Sequence, residues 1–214
     1  MRDNSGNRVH AGDGSEDAIQ SARRLAGISG EYEVIWCSGM HLPGEYSAET
    51  PDAVWLSENI KTMDELAVKA VWLHEICHLL LARFLPDRPF LYGEESHDLS
   101  FGILYATALR RAGALGKFRI FDVYGSPPEE SFSLAEVNFR FIAALAAAHV
   151  LADSDAALEE IASRLPARFS PPSRWQILKA MAGSLFTGRQ KSPLELCMQL
   201  YGPELRRISG ATGF

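Results

Sequence analysis

The sequence predicts an α+β fold in which a small mixed sheet and a long buried helix are followed by an all-helical C-terminal part. Three observations predict it. Short runs rich in β-branched and aromatic residues precede residue 57, a long apolar helix follows them, and beyond Gly125-Ser126-Pro127-Pro128 the patterning is helical only. The Pro-Pro break sets the expected organisation: a disordered tail over 1–15, a core over 16–125 and a helical C-terminal subdomain over 126–214.

Each element has a local reason. From Glu16 to Ile28, apolar Ala18, Ile19, Ala22, Leu25 and Ala26 recur at helical spacing, and Gly27 or Gly30 ends the helix. Tyr32 to Cys37 reads as a strand, Gly39 to Gly44 as turn chemistry, Glu45 to Glu49 as a further strand, and Ala53-Val54-Trp55-Leu56 as an extended apolar run after Pro51-Asp52. Thr62 with Glu65 has the spacing of a capping box. The helix it opens is apolar on nearly every side from Leu66 to Leu81, until Pro86 forbids continuation. A loop with Pro86 and Pro89 leads to a helix from about Ser96 to Ala112 closed by Gly113, and Phe118 to Tyr124 is another strand candidate. In the C-terminal part Ser133 with Glu136 caps one helix, Ser154 begins a second that stops before Pro166, and Pro171 to Ser173 and Ser192-Pro193 start two more.

Composition narrows the function classes. Apolar residues at 47% and charged ones at 22% describe an ordinary globular chain. A net charge of -6 at pH 7 gives no global reason to bind nucleic acid, and the Arg-Arg pairs at Arg23, Arg110 and Arg206 sit near helix ends, where the dipole favours cations. Cys37, Cys77 and Cys197 are odd in number, widely spaced and never in CxxC form, so neither a disulfide framework nor a zinc ribbon is expected and a cytoplasmic location is. The polar, Gly-rich start has no signal-peptide character. The most apolar stretch, Leu134 to Ala152, is interrupted by Glu136, Asn138, Arg140 and His149, so no membrane span is expected.

The chemistry is concentrated in His74-Glu75-Ile76-Cys77-His78. Two histidines four residues apart on a helix share a face and can reach one Zn²⁺, with Glu75 beside the open coordination position; this is the HExxH arrangement of metal-dependent peptidases. Its setting in a core helix strengthens the reading, because polar side chains placed there without partners cost a few kcal/mol each. Cys77, inside the motif, fits a small packing residue.

A catalytic zinc takes three protein ligands, and the third must come from elsewhere in the chain. His10 lies in the tail, His41 in a turn and His149 in the helical part, whereas His97 stands at the start of the next helix, a loop's length from His78. His97 is preferred, with Glu94, Glu95 and Asp98 as competitors, and Phe101 lies on its face four residues on.

Ala53 to Leu56, then Trp72 to Leu80, then His97-Asp98-Leu99-Ser100-Phe101 and Ala108 to Gly113 together resemble the small zincin peptidases of the SprT-like type, in motif order and spacing over about residues 44 to 113. In that group an edge strand precedes HExxH, and an HGxxF-like segment supplies the third histidine. The resemblance implies a zincin-like fold with His74, His78 and His97 as zinc ligands and Glu75 as catalytic base. Asp98 stands where the group has Gly, and the group's cysteine ribbon is missing, so a link to DNA-bound substrates does not carry over. The segment Glu95 to Phe101 is also spaced like that of the ImmA-type repressor-cleaving peptidases, without their Ala-Asn pair.

The expected activity is zinc-dependent endopeptidase hydrolysis of a protein or peptide, with Glu75 as general base for a zinc-activated water and Tyr92 or Tyr105 as candidate oxyanion donors. An exposed edge of the strand Ala53 to Leu56 is expected to hold an extended substrate. The alternative is a non-catalytic zincin-like module that binds a partner protein; Glu75 argues against it, since a structural zinc site needs a fourth ligand more than a base.

Overall fold

The most apolar strand lies at the centre of the sheet. In the computed structural model, which describes residues 14–87, 97–114, 148, 150–167, 175 and 193–209, β1 (Glu33–Cys37), β2 (Gly44–Tyr46) and β3 (Ala53–Ser57) form a mixed sheet in the order β1-β3-β2. Strand β1 pairs parallel with β3, Ile35 opposite Trp55, and β2 pairs antiparallel on the other side, Glu45 opposite the same Trp55. Ala53, Val54, Leu56 and Ser57 are buried, as befits a strand covered on both sides. This corrects the expectation that Ala53 to Leu56 is the edge for substrate: both of its ladders are taken, and among the described residues the edge next to the motif helix is β2. The further strand expected over Glu45 to Glu49 is this shorter β2.

Among the described residues the fold is α+β, with the three-stranded sheet and six helices, one of them the 3-10 turn Glu58–Thr62. Helix α1 (Gly14–Ala26) buries Ala18, Ile19, Ala22 and Ala26 and closes where Gly27 takes φ +74°, its amide and that of Ile28 bonding back to Arg24 and Arg23 carbonyls. Helix α2 (Glu65–Phe84) starts two residues later than the Thr62-Glu65 box predicts. Asp64 is its N-cap, accepting from the Ala67 amide at 2.9 Å, while Thr62 ends the 3-10 turn and donates to the Asn59 carbonyl. A carboxylate accepts more strongly than a hydroxyl at this position, and Glu65 is left to pair with Lys69 at 2.6 Å. Trp72, Leu73, Ile76, Leu79, Leu80 and Leu81 are fully buried, so α2 runs through the core, packed on β2 and β3 on one side and on α1 and α3 on others.

Helix α3 (Leu99–Arg111) is capped by Asp98, whose carboxylate accepts from the Phe101 amide at 3.0 Å, and it ends at Gly113, φ +71°. Beyond residue 126, α4 (Leu158–Arg164) and α5 (Pro193–Ser209) are described. Helix α4 packs on α2 and α3, and Leu158, Ile161, Ala162, Leu205 and Ile208 share one buried cluster with the sheet-bearing part. The joint is polar as well. Glu159 Oε1 accepts from the Ser29 and Gly30 amides at 2.8 and 2.7 Å. Arg111 donates to four carbonyls, those of Ala26, Leu151, Ser154 and Ala156. Ser154 does not begin α4: Ala157 is its N-cap, and the Ser154 hydroxyl accepts from the Ala156 amide instead. The strand expected over Phe118 to Tyr124, most of the helix from Leu134 to Ala152 and the helix start at Pro171 to Ser173 lie outside the described residues. No helix among those described is long and apolar enough to cross a membrane.

Candidate metal centre

Two helices meet to build the site. His74 and His78 are one turn apart on α2, and His97 immediately precedes the Asp98 cap of α3, so the contact between α2 and α3 brings a side chain nineteen residues beyond His78 against it. The three Nε2 atoms form a nearly equilateral triangle: His74 to His78 3.2 Å, His78 to His97 3.2 Å, His97 to His74 3.0 Å. Hydrogen bonding does not account for a triangle of this kind. A neutral imidazole nitrogen is either one donor or one acceptor, so at most one edge can carry a well-formed bond. A cation facing all three lone pairs satisfies them together. A tetrahedral zinc site with bonds of about 2.0 to 2.1 Å has nitrogen–nitrogen edges of roughly 3.3 Å, close to those found here. The three histidines lie close enough to bind one metal ion.

The electrostatics suit ligation. Burial, and then the neighbouring His97, holds His74 down to about 3, so it is neutral near pH 7 and has a lone pair to give. Glu75 is 7% exposed and packs against Gly44 of the edge strand. Burial pushes it up to about 8; the negative charge of Glu45 adds to this, and a backbone hydrogen bond from Tyr46 offsets part of it. Cys77 is fully buried, and burial raises its thiol further from ionisation, which leaves it a packing residue.

Three features go beyond what the sequence indicated. The first is the aromatic support beneath the histidines. Phe101 stacks on His78 with centroids 4.3 Å apart and planes at 24°, and meets His74 and His97 edge-on at 4.9 and 4.8 Å. The second is Gly44, where a Cβ would lie 2.8 Å from Glu75 Cγ and 3.0 Å from Val71 Cγ1, so only glycine lets β2 approach this closely. The third concerns Tyr105, an expected oxyanion donor. It is 2% exposed and its hydroxyl donates to the Ala70 carbonyl at 3.1 Å, while its ring stands edge-on to His74 at 5.2 Å. It therefore braces α2 from behind and does not present its hydroxyl to a substrate. Of the competitors for the third position, Asp98 is committed to capping α3. Glu94, Glu95 and Tyr92 lie outside the described residues, as do His10 and His149, and His41 is exposed and outside the cluster.

The class that fold and site define is an α+β protein with three histidines close enough to bind one metal ion, beside a buried glutamate. Comparison of the chain with protein-family models, with curated proteins and with solved structures finds no match.

Proposed function

We propose that this chain is a zinc-dependent endopeptidase with a zincin-like core, similar to the SprT-like peptidases in the order and spacing of its motifs. The observation that supports it most is the Nε2 triangle of His74, His78 and His97 with Glu75 on the same helix turn and the edge strand β2 alongside. The donor set fits zinc: three imidazoles with no fourth protein ligand in the cluster among the described residues. When bound, zinc supplies Lewis acidity, which lowers the pKa of a water from about 15.7 toward 7 and polarises a peptide carbonyl.

The chain's own residues supply the rest. His74, His78 and His97 would hold the ion. Glu75 takes the proton of the attacking water on a carboxylate oxygen and returns it to the leaving amine. An extended substrate adds by main-chain hydrogen bonds to the outer side of β2, which pairs with no further strand among the described residues, and this places its backbone along the Glu75 side of the site. Preference among substrates then depends on side-chain pockets. Hydrolysis of an unfolded protein by the zinc-loaded chain, abolished by a chelator and restored by zinc, is the test. A chain that loads zinc and leaves a broad panel of unfolded proteins and peptides intact would point to the partner-binding module instead.

A further inference from the structure

We infer that Phe101 is a positioning residue of the metal centre: its ring is the platform that sets the planes of all three histidines at once. This rests on the centre proposed above, though not on peptidase activity. Phe101 is fully buried, and within about 5 Å its ring meets three imidazoles in two different ways. Its face lies on His78. Its ring meets those of His74 and His97 at 67° and 77°, so their positions are limited by contact with the same six-membered ring.

The backbone holds the platform as well. The Asp98 carboxylate bonds to the Phe101 amide at 3.0 Å, which fixes the first turn of α3, and His97 is the residue just before that cap. Asp98 therefore ties the position of His97 to that of the ring beneath it. At the other side Tyr105, one turn along α3, sits 5.6 Å from Phe101 and bonds to Ala70, four residues before His74. One face of α3 thus carries the support for ligands from both helices. Such support raises metal affinity because the imidazoles lose less rotational freedom when they bind, and removal of groups that orient ligands costs about 10- to 100-fold.

The experiment uses the cobalt-loaded full-length chain, with affinity read by competition against a chromophoric chelator and ligand geometry by the visible cobalt absorption. Phe101→Leu and Phe101→Met keep the apolar volume but have no flat ring; Phe101→Tyr keeps the ring. Leu109→Ala, two turns further along α3 and also fully buried, serves as a control for stability alone. The expected result is that Leu and Met weaken cobalt binding about tenfold or more and alter the absorption bands, Tyr stays near wild type, and Leu109→Ala unfolds more easily but binds cobalt normally. Affinity that follows melting temperature across all four variants, or wild-type binding in Phe101→Leu, overturns the platform. A wild-type chain that binds no cobalt or zinc overturns the metal centre itself, whereas loss of peptidase activity with intact metal binding bears only on the proposed reaction.

Discussion

Gly44 and Glu75 are in contact closely enough that no side chain fits between them: a Cβ on Gly44 would sit 2.8 Å from Glu75 Cγ and 3.0 Å from its Oε1. A glycine in an edge strand is otherwise a poor choice, since it packs nothing and loses the most entropy on folding. Here it lets β2 run directly over the proposed base. Gly44→Ala must therefore push the strand or the carboxylate aside. Overpacking of this kind costs about 1 to 3 kcal/mol, and hydrolysis should fall while zinc content stays at the wild-type level. Melting temperature, metal analysis and turnover on one preparation check it; unchanged turnover would mean that the close approach has no part in catalysis.

Glu75→Gln separates base from ligand. The amide keeps the size of the side chain and removes its basicity, so peptide hydrolysis should drop by about 10² to 10⁴ with zinc retained, whereas His74→Ala should lose metal and activity together. Turnover of Glu75→Gln equal to wild type would falsify the proposed mechanism.

His97→Ala tests the third position. With Nε2 only 3.0 Å from that of His74, His97 is expected to be a full ligand, so its removal should weaken zinc binding about as much as loss of His78 does. Equilibrium competition with a chelator measures it. Near-normal affinity in His97→Ala would hand the role to Glu94 or Glu95.

Acid should destabilise the metal-free chain through His74. Burial and then His97 depress its pKa from 6.5 to about 3 in the folded chain. Between those two values the unfolded chain takes up a proton that the folded one refuses, so this contribution to stability is whole above pH 6.5 and is lost as pH falls toward 3. Denaturant midpoints of chelator-stripped protein should decline from about pH 7 to about pH 4.5, and His74→Gln should decline less. Parallel curves for the two proteins would assign the acid sensitivity to other groups.

Arg111 supports the join between the sheet-bearing part and the helices beyond residue 126. Its guanidinium donates to the carbonyls of Ala26, Leu151, Ser154 and Ala156, and a lysine has neither the fork nor the reach for four acceptors. Arg111→Lys should lower stability by about 2 to 4 kcal/mol, because partly buried carbonyls lose a charged donor. Urea denaturation monitored by tryptophan fluorescence reads the change; a shift below about 0.5 kcal/mol would show that other donors or water replace it.

The local elements were legible because their signals are local. The spacing of Ala18, Ile19, Ala22 and Ala26 marked α1, Gly27 and Gly113 marked the ends of α1 and α3, and Pro86 marked the end of α2. The start of α2 was misplaced because Thr62 and Asp64 both have capping side chains; Thr62 instead ends the 3-10 turn, leaving Asp64 as the first cap for α2. The role given to Ala53 to Leu56 failed for another reason. An apolar strand looks the same in sequence whether its ladder partners are on one side or two, and β1, separated from β3 by β2 in the chain, pairs with it in parallel across the sheet.

By itself the sequence determined that His74 and His78 share a helix face with Glu75 next to them, since a period of 3.6 residues leaves no other arrangement once the segment is helical. It also narrowed the third position to a few residues near His97. Only the tertiary structure decided that His97 closes the triangle, that Phe101 lies beneath all three rings, that Tyr105 turns its hydroxyl to Ala70, and that Gly44 presses on Glu75. Each of these is a contact between elements far apart in the chain, set by how α3 and β2 pack on α2, and packing of that kind leaves no periodic trace in the residues that make it.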